Sequence, residues 1–474
     1  MPISLAEEVR RLPAGQLRRP LERWAAAADA VLFSADDRFV AQRIALVTFA
    51  TRLASAFITY ASQILLARWM GDAQYGVFAV VWVGAVVLGG LSCLGFQKAI
   101  VRFVPEYVES GRSDLLRGVL IGSRLQALVT AAVAAALGFL GLGVFGQSVA
   151  DAYVMPLYLA AICLPILAAT DVQEGIARAY NWPDLSLWPT FVFRPLLILA
   201  FMGGAIAIGR PADATTAMAA VIGATFFSLL GQFLVLERRL KLRVLPGARR
   251  FRPMLWIKVA LPIFMVEGFF GMMTNIDVLI VGHLLEAEKV AVYFAAVRTM
   301  AIVHFVYYAV RAASAHRISH YYNAGDRVRL VGLVGDTLNW TFWPSLAMAA
   351  LLVVVGEPML ALFGPSFVAG YPLLLIFAVG LLIRASVGPA ESLLAMSNHQ
   401  GICALVFLAA FLVNVGLNFA FVPHFGLAGA AVATATALLV EAAGLFFAAW
   451  YRLGIKCSIF FALGSRTRLS AVVP

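Results

Sequence analysis

The chain has 474 residues, enough for several soluble domains, but 62% of it is apolar and only 13% is charged. Ordinary soluble domains sit near half apolar and a quarter charged. A soluble fold could not hide this much apolar surface and is excluded, as are the disordered and fibrous classes. The net charge of +11 raises nucleic acid as a partner only until the charges are placed along the chain.

Residues 1–43 mix Arg10, Arg11, Arg18, Arg19 and Arg23 with Glu7, Glu8, Glu22, Asp29, Asp36 and Asp37. Their best apolar stretch, WAAAADAVLF, is broken by Asp29 and is too weak for a signal peptide. They read as a cytosolic surface tail. A bilayer core needs about 20 apolar residues per helix, and continuous runs of that kind predict twelve spans. These are 44–68, 75–97, 118–142, 153–173, 186–208, 214–236, 257–282, 290–310, 331–355, 371–395, 401–422 and 426–451. The runs do not alternate, so they are helices and not barrel strands. The segments that fall on one side of the bilayer carry 28 of the 36 Lys and Arg, the other side carries three, and five lie within spans. By the positive-inside rule both termini are cytoplasmic, and the +11 is a topology signal and not a nucleic-acid patch. Trp69, Trp182, Trp188, Trp256 and Trp450 fall at span ends, where interfacial anchors belong. Cys93, Cys163, Cys403 and Cys457 have no zinc or redox spacing and read as small buried hydrophobes.

The basic run ERRLKLRVLPGARRFRPMLWIK (237–258) divides the spans six and six. The domain reading is a tail 1–43, a bundle 44–236, a basic linker 237–256, a second bundle 257–451 and a cytosolic tail 452–474. A shift of 215 sets Ala67 on Gly282, Gly76 on Ala291 and Phe78 on Tyr293. A shift of 217 sets Glu174 on Glu391 and Asn181 on Asn398. An even number of spans per half makes these parallel repeats, an architecture in which two bundles rock about a site between them.

The stretches LLARWMGDAQYGVFA (65–79), LSCLGFQKAIVRFVPEY (91–107), NIDVLIVGHLLEAEKVAVYFAAVRTM (275–300), LALFGPSFVAGYPLLLIFAVG (360–380) and NVGLNFAFVPHFGLAGAAVATA (414–435) carry a resemblance. In their order and spacing they resemble the multidrug/oligosaccharidyl-lipid/polysaccharide exporter superfamily, and within it the O-antigen flippase (Wzx-type) polysaccharide transporters. Many relatives are expected to have fourteen spans; this chain has twelve. The resemblance implies an all-α, two-bundle flippase of the inner membrane. Its cargo would be an undecaprenyl-diphosphate-linked oligosaccharide, moved from the cytoplasmic to the periplasmic leaflet for cell-surface polysaccharide synthesis. Membrane lipids, a polysaccharide polymerase and chain-length machinery are the implied partners.

Charges inside spans are costly and mark function by default. The basic ones are Arg52, Arg124, Arg194, Arg298 and Arg384; the acids singled out as buried are Glu267, Asp277 and Glu441. A diphosphate carries about two negative charges, and the guanidinium fork suits phosphate, so the five arginines are the candidate substrate contacts. In the resembling family, cations of the first and eighth spans face a central cavity, the places of Arg52 and Arg298. For Arg124 and Arg194 snorkelling to the headgroups is the alternative; for Arg384, neutralisation by Glu391 seven residues on. The three acids are candidates for ion coupling or for structural pairing with arginine, and His304 reads as a packing histidine. No phosphate-cradling Gly-Lys-Ser/Thr loop, metal-ligand cluster or Ser/His/Asp arrangement stands out. No cofactor and no catalytic residue are expected.

The rival within the superfamily is a multidrug exporter, but organic cations want carboxylates where the first span offers Arg52. A membrane-embedded polymerase or ligase would need a larger periplasmic segment than 356–370, the longest here. Orientation is directly testable. A cysteine at position 245 is expected to react with an impermeant thiol reagent only after cells are permeabilised; labelling of intact cells would invert the topology.

Overall fold

The computed structural model describes the backbone of residues 37–461, and the side chains of 51–461 except 52, 53, 304–306, 308, 309, 311–313 and 316. Every regular element described is helical. The helical segment 37–57 belongs to a compact unit of its own, and the packing below is that of the unit beginning at Ile58. The first half of the chain comprises α1 (Asp37–Ser92), α2 (Phe96–Glu109), α3 (Ser113–Phe145), α4 (Asp151–Ala179), α5 (Pro183–Trp188), a π-turn (Pro189–Phe193), α6 (Arg194–Ala207) and α7 (Ala214–Arg243). The second half comprises α8 (Pro253–Met273), α9 (Ile276–Leu284), α10 (Ala287–Asn323), α11 (Arg327–Ala361), a 3₁₀ turn (Pro365–Gly370), α12 (Tyr371–Ala385), α13 (Ala390–Met396) and α14 (Gln400–Leu453).

Nine helices among the described residues are long and apolar enough to cross a bilayer. Two of them, of 56 and 54 residues, are far longer than one crossing requires. Each holds a glycine in a conformation that other residues rarely adopt: Gly71 at φ 73° and Gly426 at φ 56°. Dividing both at these breaks, and adding α10, gives the twelve crossings read from the sequence. The sequence expected the chain to leave the second span at residue 98. It continues instead as α2 after a short reversal at 93–95, and the connection to α3 is 110–112.

The repeat is visible in the backbone. Asn181 and Asn398, paired by the 217-residue shift, both sit at positive φ, 56° and 64°. Each ends a span: α4 in the first half, and the α12–α13 pair in the second.

Within the first half α4 is central, packed on α2, α3 and α7; within the second, α14 packs on α8, α9, α12 and α13. The halves meet along much of the second span, as where Val80 lies against Gly282 of α9, and two regions of that contact carry aromatic and polar partners. At one, the start of the second span lies against α10 and the 3₁₀ turn. There Tyr75 contacts the rings of Phe294, Phe363 and Phe367 at centroid distances of 5.8, 6.4 and 6.0 Å. Tyr60 Oη shares a 3.1 Å hydrogen bond with Thr299 Oγ1, and Arg68 donates to the carbonyls of Leu362 and Ala361 at 2.6 and 2.7 Å. At the other, α2 and α3 meet α8 and the segment before it. Trp256 donates to Tyr107 Oη at 3.0 Å. It is only 2% exposed, so it is not the interfacial anchor the sequence expected. Its ring closes over the backbone of α3 at Gly118 and Gly122.

The basic segment is partly helical, since α7 runs to Arg243; residues 244–252 are extended. Arg117 holds them by donating to the carbonyls of Leu245 and Ala248 at 2.7 and 2.8 Å. After α14 the chain does not leave the protein at once. Ile455, Cys457 and Ile459 are buried, and Ile459 N donates to Ser386 O at 2.9 Å. Burial pushes the Cys457 thiol up to about 12, which keeps it protonated and inert. The expected tails 1–36 and 462–474 lie outside the described residues.

A Cβ built on Gly76 would come within 1.8 Å of the Ala287 carbonyl oxygen, which only backbone movement relieves. Gly141 has open space around it. Gly76→Leu is expected to lower the thermal midpoint of the detergent-purified protein by the equivalent of about 1–3 kcal/mol, with Gly141→Leu close to wild type. Equal midpoints would show that the halves do not meet at Gly76.

Candidate functional site

The helices of the second half enclose a cavity of about 340 Å³. Its wall brings together four of the residues singled out from the sequence, Arg298, Arg384, Asp277 and Glu441, with Tyr307, Asn414 and Thr434 among their neighbours. They come from α9, α10, α12 and the two legs of α14. Their side chains converge because each lies on the inward face of its helix, where an apolar residue would otherwise complete the core.

Arg384 is 5% exposed, and every edge of its guanidinium is engaged. Nε donates to Glu441 Oε1. Nη2 donates to Tyr307 Oη at 2.6 Å and to Glu391 Oε2 at 3.1 Å, and Nη1 reaches the Gly388 carbonyl at 3.5 Å. Tyr307 in turn donates to Glu391 at 2.8 Å, and its ring lies 4.8 Å below the guanidinium. The cluster ties α10, α12, α13 and the second leg of α14 together at the point where the tenth span is interrupted. The neutralisation of Arg384 by Glu391, weighed from the sequence, is thus present; Glu441 and Tyr307 were not foreseen as its partners.

Asp277 is 3% exposed and has hydroxyl partners where an arginine was expected. It accepts from Tyr293 Oη at 2.6 Å, Val278 N at 2.9 Å and Thr434 Oγ1 at 3.3 Å, so α9, α10 and α14 are joined through one carboxylate.

Arg298 differs from both. Its guanidinium carbon sits 4.5 Å from the centroid of the Phe294 ring, Nε is buried without a hydrogen bond, and no carboxylate pairs with it among the described residues. A cation–π contact offsets part of the cost of burying a cation but leaves the buried Nε donor without a partner.

The remaining candidates lie apart. Arg124 is paired with Glu237 at 2.6 Å and lies over Phe233, joining α3 to α7. Arg194, directly after the π-turn, lies 5.4 Å from the Trp82 ring centroid inside the first half. Glu267 projects from α8 into a separate cleft of about 160 Å³, where Lys98 pairs with it at 3.2 Å. The side chains of Arg52 and His304 lie outside the described residues.

Sequence reasoning missed Lys98, which was counted with the loops, and the polar wall of Tyr307, Asn414 and Thr434. Asn414 and Asn418, one turn apart and fully buried, were legible as polar groups inside an apolar run. Tyr307 and Glu441 as partners of Arg384 were not, since nothing local relates residues 307, 384 and 441.

Comparison with known proteins agrees with this architecture. Residues 42–319 match the polysaccharide biosynthesis protein family, and 262–420 match the MatE family. The probable low-salt glycan biosynthesis flippase Agl15 of Haloferax volcanii is 21% identical over 406 residues, 84% of this chain and 81% of its own. An inward-facing multidrug resistance MATE family transporter of the MOP superfamily superposes with a TM-score of 0.70 at 15% identity, covering 86% of this chain and 98% of its own. The lipid II flippase MurJ in an inward closed conformation gives 0.65 at 15% identity, covering 85% and 87%.

Because Arg384 is buried among its partners, removing one of them strands a charge. Arg384→Ala and Glu441→Ala are each expected to cost about 3–5 kcal/mol of stability, seen as a large fall in thermal midpoint. Arg298→Ala, which breaks no ion pair, is expected to leave the midpoint within about 1 kcal/mol of wild type. A larger fall for Arg298→Ala than for Arg384→Ala would reverse these roles.

Proposed function

Since the chain belongs to the polysaccharide biosynthesis protein family and has the fold of the MOP superfamily transporters, we propose that it is a flippase for an undecaprenyl-diphosphate-linked oligosaccharide. In this reading it works in the inner membrane, with both termini cytoplasmic. It carries the sugar and diphosphate from the cytoplasmic to the periplasmic leaflet between the bundles 44–236 and 257–451. The protein is a transporter and not an enzyme. The relative from Haloferax volcanii, described as a glycan biosynthesis flippase, points the same way.

The observation that carries the reading is Arg298: a cation inside a span, on a cavity wall, with no carboxylate partner among the described residues. An isolated charge in hydrocarbon is kept only where something compensates it, and an anionic headgroup does so during transport. A diphosphate fits a cavity of this size; the sugars and the lipid tail do not, and on this view they occupy the space between the bundles and the bilayer. Arg52 in the first span is the other cation that this reading assigns to the headgroup. Arg124 and Arg384 act through the structure they hold, and Arg194 stacks on Trp82 inside the first half. Outward movement of an anion is favoured by an inside-negative potential, by about 2.3 kcal/mol per charge per 100 mV. The potential alone therefore supplies a drive, and among Glu267, Asp277 and Glu441 a proton- or cation-coupled step is an addition and not a requirement. A multidrug exporter of the same fold is the second reading; it calls for a carboxylate free to meet a cation on the cavity wall, whereas Glu441 is ion-paired with Arg384 and Asp277 is held by three hydrogen-bond donors.

In proteoliposomes, Arg298→Ala is expected to reduce flipping of the lipid-linked oligosaccharide by at least about tenfold, the loss of one charge-assisted contact. Arg298→Lys should retain part of the activity, because the charge remains and the fork does not. Wild-type rates in the Ala variant, or transport of cationic dyes in place of the glycolipid, would overturn the assignment.

A further inference from the structure

The ion pair between Lys98 and Glu267 is built differently from those inside the halves. Lys98 lies in the first turn of α2, directly after the chain reversal at 93–95, and Glu267 lies on α8 of the other half. The pair spans 3.2 Å, and its side chains are 38% and 37% exposed. The Arg384 pairs, by contrast, are 6% exposed or less on the arginine side. A half-exposed pair is screened and weakly held. The surroundings are a cleft and not a packed core: Glu267, Gln97, Gly90 and Asn275 line a space of about 160 Å³ between α1 and α8. Asn275 also lines the cavity that holds Arg298, so the two spaces adjoin at the α8–α9 junction. Gln97 Oε1 is buried there without a hydrogen-bond partner.

We infer that Lys98 is a further contact for the anionic headgroup, from the half opposite Arg298, and that Glu267 is the counter-ion that occupies it between transport cycles. This rests on the flippase reading above. A group with about two negative charges competes effectively with a single carboxylate for an ammonium ion. Lys98 has three rotatable donors on a flexible stem, so it can turn from Glu267 to the incoming phosphate without backbone movement. The exchange has a mechanical consequence. It breaks the ion pair that ties α2 to α8 while leaving the packing of each half intact. Loading thereby weakens the contact between halves on the face where the cargo sits. Glu267 is then a gate to the site, released when the lysine turns to the cargo.

The test uses the full chain in nanodiscs and undecaprenyl diphosphate without sugar as the probe, with a fluorescence binding readout and flipping measured in parallel. Lys98→Ala is expected to weaken binding about tenfold, and Lys98→Arg to restore most of it. Glu267→Gln should tighten binding by about three- to tenfold, and the Lys98→Ala/Glu267→Gln double variant should bind no better than Lys98→Ala. The Gln variant is also expected to turn over more slowly, because the counter-ion that displaces the cargo is gone. If Glu267→Gln weakens binding as much as Lys98→Ala, the pair is a structural strut and the inference falls. Wild-type binding in Lys98→Ala would also overturn it while leaving the flippase reading standing. Failure of the wild-type protein to bind the diphosphate at all would instead remove the flippase reading beneath it.

Discussion

An ionised side chain inside hydrocarbon must be compensated within the protein, and the second half of this chain is arranged around that requirement. Arg384 meets Glu441 on one edge and Glu391 and Tyr307 on the other. The contacts fix the break between α12 and α13 against α10 and α14. A buried pair of this kind is weak evidence for net stability, since desolvation offsets most of the attraction. Its effect is positional: only one arrangement of these four helices satisfies all the partners. Asp277 does the same for α9 through two hydroxyls and a backbone amide.

With those charges satisfied, the ones left over become informative. Arg298 has an aromatic face beneath it and a buried Nε without a partner. Lys98 and Glu267 have each other but remain open to a cleft. The contrast separates charges that hold the bundle from charges available to a cargo, and it runs along degree of burial and number of partners. Residue type does not draw the line, because Arg298 and Arg384 are both arginines on the wall of one cavity.

Contact between the halves is likewise of two kinds. Around Tyr75 it is tight and largely apolar, with four aromatic rings in mutual contact and a glycine pressed on the backbone of α10. Rigid, close-packed contacts of this sort have discrete open and closed arrangements and little in between. Along α2 and α8 it mixes buried packing at Trp256 with the half-exposed ion pair about three turns further along α8. Rocking of one bundle on the other thus has a side where packing must separate as a unit and a side where an exchangeable charge pair sets the threshold.

The spans, the repeat and the intramembrane charges were all legible in the sequence, because each depends on composition or on spacing along the chain. A bilayer demands long apolar runs, a duplicated gene leaves equal offsets, and a charge in such a run stands out whatever surrounds it. Asn181 and Asn398 show how far this extends, since residues paired by offset alone share a left-handed backbone in the structure. What each charge does was decided only by tertiary structure. Partners such as Tyr307 for Arg384, Lys98 for Glu267 and Thr434 for Asp277 come from helices distant in sequence. Burial of Trp256 and the retention of 455–459 against the bundle were hidden for the same reason: a residue at a span end faces either lipid headgroups or another helix, and only the packing of the whole bundle determines which.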